Sequence, residues 1–153
     1  MIEDQFEPIA TEYSELENDK TMSRYELEVN WPSIVDVLPG KPATILDYGC
    51  GSGLYARKLK NDGYDVYASD NAPSMVAQLS DFGDHALQWT YQDPPLAIMF
   101  DVIIAKLVVQ FVEDLSAFAK SMWQQLNQDG LLIVSVPHPD RSRPSYEPAP
   151  IHI

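Results

Sequence analysis

Asp47-Tyr48-Gly49-Cys50-Gly51-Ser52-Gly53 follows directly on the apolar run Ala43-Thr44-Ile45-Leu46, and further on a second apolar run ends in Asp70. A strand that turns sharply into a helix needs backbone without Cβ, both to reach positive φ and to let a ligand lie against the chain. Gly49, Gly51 and Gly53 supply it. An acid at the end of the next strand is suited to accepting hydrogen bonds from a ribose diol, as in dinucleotide-binding βαβ units. Asp70 fits that role, and the pairing of loop and acid points to a nucleoside ligand. Read alone, Asp70 would be a helix N-cap or turn residue; beside the glycine turn the ribose reading is the stronger.

Outward from the loop, strand and helix patterns alternate. Residues 43–48 read as a short strand, 54–61 as a helix stopped by Asp62-Gly63, and 64–69 as the next strand. Pro73 suits a helix first turn, with Met75, Val76 and Leu79 as its apolar stripe before Asp81-Phe82-Gly83. Residues 85–92 read as an edge strand, because Leu87, Trp89 and Tyr91 alternate with Ala86, Gln88 and Thr90. Residues 100–105 and 131–136 are nearly continuously apolar and read as strands buried on both faces. Between them Leu115, Phe118, Ala119, Met122, Trp123 and Leu126 recur at helical spacing, and Gly130 marks the expected stop. The pattern predicts an α/β fold, a Rossmann-like three-layer sandwich with a mainly parallel sheet and right-handed crossovers.

Upstream, residues 3–18 carry Phe6, Ile9, Ala10 and Tyr13 at helical spacing. A second helical stretch from about Lys20 is expected to break at Trp31-Pro32, before a short face of Ile34, Val35, Val37 and Leu38 that ends at Pro39-Gly40-Lys41-Pro42. Pro137, Pro139, Pro144, Pro148 and Pro150 predict an extended tail. All of this reads as one domain: N-terminal helices over 1–40, a binding core over 41–139 and a proline-rich tail over 140–153.

The 153-residue chain has 45% apolar and 22% charged residues, ordinary for a globular protein, and no apolar run long enough for a membrane span. The acidic N-terminus lacks the basic and apolar regions of a signal peptide, so a cytoplasmic location is expected. The single cysteine, Cys50, excludes an internal disulfide and a cysteine-rich zinc site, and no metal is expected. Inside the glycine turn it reads as a small residue that fits. A net charge of −13 repels phosphate backbones and argues against nucleic acid as a partner.

Other nucleotide motifs fit the loop less well. Gly-x-Gly-x-x-Gly would need glycine at position 54, where the chain has Leu54, and a phosphate loop would need a lysine that does not appear until Lys58. The segment instead resembles motif I of the class I S-adenosylmethionine-dependent methyltransferases, Asp/Glu-x-Gly-x-Gly-x-Gly, matched by Asp47, Gly49, Gly51 and Gly53. The resemblance continues through the segment from Tyr67 to Met75, Phe100-Asp101-Val102-Ile103-Ile104, Val112-Glu113-Asp114-Leu115 and Gln128-Asp129-Gly130, covering roughly residues 5 to 139.

That resemblance implies S-adenosylmethionine as cofactor and a small molecule as methyl acceptor. Gly49, Gly51 and Gly53 would let the backbone approach the methionine moiety, Asp47 would position its amino group, and Asp70, followed by the polar Asn71, would take the ribose hydroxyls. Gln92-Asp93 resembles the segment whose acid contacts the adenine amine, and Lys106 and Leu107 occupy the stretch beside the methionine end. Asp101 reads as an ordinary strand acid and His85 as a surface turn residue. His138, at the end of the fifth strand, is the candidate base, since histidine titrates near neutral pH. Tyr13 reads as core packing or as part of an N-terminal segment folded over the cofactor.

The family's sheet usually has seven strands, and the last of them are missing from the pattern here. The fifth strand is therefore expected as an apolar edge, covered by the tail or by a second copy in a homo-oligomer, or else the chain is a piece of a longer protein. The competing functional reading is a non-catalytic S-adenosylmethionine-binding or interaction module.

Overall fold

The computed structural model describes residues 31–137, together with Glu15, Glu28 and Asn30. Helix α1 (Trp31–Val35) precedes strand β1 (Thr44–Tyr48), helix α2 (Leu54–Asn61) and strand β2 (Asp65–Asp70). A short α3 (Pro73–Val76) runs into a 3-10 segment (Ala77–His85), then β3 (Ala86–Gln88), β4 (Phe100–Lys106), α4 (Leu115–Gln125) and β5 (Leu126–Ser135). Among the described residues the strands form one parallel sheet in the order β3-β2-β1-β4-β5. This is the Rossmann-like arrangement the alternating pattern predicts.

Parallel pairing turns the strands' alternation into two cores. Ile45, Val66, Ala68, Val102 and Ile104 face Tyr55, Ala56 and Leu59 of α2 and Trp31 and Ile34 of α1. Leu46, Tyr48, Ile103 and Ala105 face Phe118 and Met122 of α4 and Trp89. Because all strands run the same way, Tyr48, Asp70 and Lys106 come to one carboxyl edge. Such an edge is where open α/β sheets bind ligands. Lys58 and Lys60 sit in the last turn of α2, where cations oppose the helix dipole. Asp114 caps α4 by accepting from the N–H groups of Ser116 and Ala117, both at 2.9 Å.

Several expectations are corrected. Pro32 stands in the first turn of α1, where a missing N–H costs nothing, and the helical stretch expected before it lies outside the described residues apart from Glu28 and Asn30, which are helical. The strand expected over 85–92 is only Ala86–Gln88, because residues 89–94 fold into a turn of their own. The helix after β4 ends at Gln125, and Gly130 lies inside β5: pairing of Phe100 with Leu126 takes the chain into the sheet before the helical pattern runs out. β5 is not buried on both faces; Leu131 is 37% and Val134 43% exposed. On α4 Leu115 and Trp123 face solvent, leaving Phe118, Met122 and Gln125 inward. The helix expected over 3–18, apart from Glu15, which is helical, and the tail over 140–153 lie outside the described residues.

Candidate functional site

Two hydrogen bonds fasten the glycine loop to β2, and two more close the loop and the entry to α3. Cys50 N–H donates to Ser69 O at 2.9 Å and Gly53 N–H to Cys50 O at 2.9 Å, closing the turn. Gly51 N–H donates to Asp70 Oδ2 at 2.9 Å, and Ala72 N–H to Asp70 Oδ1 at 3.0 Å. Asp70 is thus a buried carboxylate holding backbone on both sides. A carboxylate accepts up to about four hydrogen bonds, so this duty is compatible with accepting from a diol as well. Asp47 is buried at the base of the loop, and Cys50, also buried, directs Sγ to Gly51 O as a packing residue.

All three loop glycines have positive φ, at 66°, 54° and 85° for Gly49, Gly51 and Gly53. What the missing side chains admit is, at two of them, another part of the chain. A Cβ on Gly49 would stand 2.4 Å from Val108 Cγ2, and one on Gly53 2.5 Å from Leu79 Cδ2 and 3.0 Å from Arg57 Nη1. The segment after β4 and the 3-10 segment therefore press directly on the loop. Arg57, unremarked in the sequence, ties these parts together. Its guanidinium donates to Ser52 O, to Gln78 O at 2.8 Å, and to both oxygens of Asp81 at 3.0 and 3.1 Å. Its position one turn after Gly53 on α2 was the available signal.

Beyond β4, Leu107 has φ 55°, a sparsely populated region for a branched side chain. It is held there by its N–H donating to Ser135 O at 3.0 Å, and by Gln110 Nε2 donating to its carbonyl at 2.7 Å. Lys106 lays its ammonium over the Tyr55 ring, 4.8 Å from the centroid. This cation–π contact draws the charge toward α2.

On the far side, the turn after β3 carries Gln92 and Asp93, both exposed. Asp93 Oδ2 accepts from Thr90 N–H at 2.8 Å, and Tyr48 Oη accepts from Tyr91 N–H at 3.2 Å. Burial pushes the Tyr48 phenol up to about 12, against a smaller lowering by that N–H. Asn71 is exposed beside Asp70, and its carbonyl accepts from Gln88 Nε2 at 3.4 Å.

The structure brings Asp47, the glycines, Asp70, Asn71, Gln92, Asp93, Lys106 and Leu107 to the carboxyl end of the sheet. His138 and Tyr13 lie outside the described residues. His85 ends the 3-10 segment just before β3 with its side chain 39% exposed, and there it stacks on Tyr67 at 3.9 Å, with Nδ1 3.1 Å from Val66 O. Asp101 is structural, accepting from Thr44 N–H at 2.8 Å and from Asn127 Nδ2 at 2.8 Å. Among the described residues there is no acid, histidine or cysteine group able to hold a metal, and no helix long and apolar enough to cross a membrane.

The donor and acceptor set is acidic. The loop carries no lysine or arginine, and Arg57, one turn into α2, donates to backbone carbonyls and Asp81. This suits a ligand rich in hydroxyl and amine donors and lacking phosphate, and S-adenosylmethionine is such a molecule.

A protein-family model described as a methyltransferase domain matches residues 46–134. The ubiquinone biosynthesis O-methyltransferase of Rickettsia typhi is 33% identical over 97 residues, covering 60% of this chain and 39% of that protein. The malonyl-[acyl-carrier protein] O-methyltransferase of Enterobacter lignolyticus is 31% identical over 93 residues, covering 59% and 37%. The chain thus spans about two fifths of the length of these curated relatives. Among solved structures, a methyltransferase from Thermotoga maritima superposes with a TM-score of 0.68 at 23% identity, covering 84% of this chain and 58% of that one. A TehB-like methyltransferase from Corynebacterium glutamicum gives 0.65 at 19%, covering 82% and 71%.

Proposed function

The chain belongs to the methyltransferase domain family of class I S-adenosylmethionine-dependent proteins, and on that premise we propose that it binds S-adenosylmethionine and transfers its methyl group to a small-molecule acceptor. The observation that carries this reading is the Asp70 carboxylate bonded to Gly51 N–H at the carboxyl edge of the sheet. That bond joins the end of β2 to the glycine turn, which supports giving the carboxylate the ribose.

When bound, the cofactor supplies a methyl group on a sulfonium, a good leaving group. The protein's part is alignment and exclusion of water, which lower the barrier without extensive acid-base machinery. Asp70 and Asn71 hold the ribose, Asp47 the amino group of the methionine moiety, and Gln92 and Asp93 the adenine. The three glycines, all at positive φ, let the loop turn beside these groups. Lys106 and Leu107 border the acceptor. His138, soon after β5 in sequence, takes the acceptor's proton where it has one to lose, and Tyr13 belongs to the segment over the cofactor. The acceptor class is carried by likeness to enzymes named for ubiquinone biosynthesis and malonyl-[acyl-carrier protein]. The protein is assigned to the cytoplasm, without nucleic-acid partners, and the half-exposed β5 edge is assigned to pairing with a second copy.

The test is transfer of tritium from methyl-labelled S-adenosylmethionine, with the full chain, to fractions of a small-molecule extract. Label in a discrete product, absent with Asp70→Ala, is expected. Binding of the cofactor without transfer to any fraction would make the chain a binding module instead, and neither binding nor transfer would overturn the proposal.

A further inference from the structure

Tyr48 stands between the glycine loop and the turn after β3. As the last residue of β1 it is the immediate neighbour of Gly49, and its side chain projects to the opposite face of the sheet from Asp47. The ring is buried, edge-on to Trp89 at 5.8 Å and tilted against Phe118 at 5.6 Å. Two aromatic neighbours therefore leave it little freedom. From this seat Oη accepts the Tyr91 N–H at 3.2 Å.

The turn it reaches is closed by its own hydrogen bonds. Thr90 N–H donates to Asp93 Oδ2 at 2.8 Å, Asp93 N–H to Thr90 O at 3.0 Å, and Gln92 N–H to Thr90 Oγ1 at 3.2 Å. Trp89 Nε1–H spans the turn's base to Pro94 O at 3.0 Å. Internal bonds close the turn, and the Tyr91 ring seats it edge-on against Phe118 at 6.0 Å. The phenol of Tyr48 adds the hydrogen bond that ties the turn's backbone to the residue adjacent to the loop.

We propose that Tyr48 is a positioning residue that sets the nucleobase preference of the site, by holding the Thr90 to Asp93 turn at the height where the Asp93 carboxylate meets an exocyclic amine. This rests on the cofactor reading given above. A carboxylate is an acceptor only, so it favours the 6-amino group of adenine and opposes the 6-oxo group of hypoxanthine. The preference holds only while the carboxylate is kept in place, since a loose turn lets Asp93 swing away from the oxo group. Burial keeps the phenol neutral through ordinary pH, so it adds no charge beside Asp70 and Asp93.

Tyr48→Phe keeps the ring among Trp89 and Phe118 and removes the one oxygen. Calorimetric titration of the full chain with S-adenosylhomocysteine and with S-inosylhomocysteine gives the preference for the amine directly. The wild-type protein is expected to favour the adenosyl compound, and Tyr48→Phe to lower that preference by about tenfold, the scale of one charge-assisted hydrogen bond, mainly by weakening the adenosyl complex. Thr90→Val, which loosens the turn from within, should lower it in the same direction. Amide hydrogen exchange at Tyr91 in the ligand-free protein should quicken in Tyr48→Phe. An unchanged preference in both variants, or a parallel loss for both ligands, would overturn the proposal. A wild-type protein that binds both ligands equally overturns this inference alone; one that binds neither refutes the cofactor reading and this inference with it.

Discussion

The carboxylate of Asp70 accepts the backbone N–H of Gly51 at 2.9 Å across nineteen residues of sequence. This one contact makes the end of β2 and the apex of the loop after β1 a single body. Its other oxygen takes Ala72 N–H at 3.0 Å, so the same side chain also sets the entry to α3. Any ligand held by Asp70 is thereby held in register with the glycines.

Asp70→Asn keeps the shape and exchanges one acceptor oxygen for a donor that cannot serve an N–H. Hydrogen bonds to charged acceptors contribute about 1.5–3 kcal/mol, and a loss of that size in unfolding free energy is expected from urea denaturation. Unchanged stability would mean that the loop is held by other contacts.

Gly49→Ala should be destabilising for two separable reasons. An L-residue at φ 66° costs about 1–2 kcal/mol, and the new Cβ overlaps Val108 Cγ2, which adds about 1–3 kcal/mol. Adding Val108→Ala removes only the second cost. A double-mutant cycle should therefore show favourable coupling of about 1–2 kcal/mol, and simple additivity would show that Val108 moves aside freely.

Sequence patterns carried the parts of the fold where local and global preferences agree. The loop, β1, α2, β2 and β4 lie within a residue or so of their expected positions, because their apolar periods coincide with burial on a parallel sheet. Periodicity failed where the sheet overrode it. Leu126 continues the helical spacing of Phe118 and Met122, yet pairing with Phe100 makes it the first residue of β5. Trp123 also fits that spacing but is 78% exposed, since one helical face holds only a narrow stripe inward. The 3-10 segment was invisible because Leu79 and Gly83 leave helical φ/ψ inside it, a kink that apolar spacing does not record. In the site, the glycines and Asp70 were legible from spacing, whereas Arg57, Val108 and Tyr48 were not. Their roles exist only once separate segments meet.

The Arg57–Asp81 pair is half exposed and should show a modest, pH-dependent contribution. The guanidinium's hydrogen bonds to Asp81 hold its carboxyl below the usual value. With the folded value below the unfolded one, stabilisation is present above about pH 4 and is lost as pH falls through the folded value. Asp81→Asn should cost about 0.5–1 kcal/mol at neutral pH, less in high salt, and nothing in strong acid. A cost that persists after protonation would assign Asp81 a role other than this ion pair.

Gln125 is 1% exposed and serves the crossover before β4. Its Oε1 accepts Leu96 N–H at 2.9 Å, and Nε2 donates to Ile98 O at 2.7 Å. Gln125→Leu keeps apolar bulk but strands these backbone groups, and a loss of about 2–4 kcal/mol is expected from thermal or urea unfolding. A neutral outcome would show that water reaches the crossover.

The most direct measurement is isothermal titration of S-adenosylhomocysteine into the 153-residue wild-type chain and into Asp70→Ala. The account requires saturable binding at one site in the wild type and its loss, by at least about tenfold in affinity, in the variant. Binding of equal strength by both proteins, or none by the wild type, would contradict it.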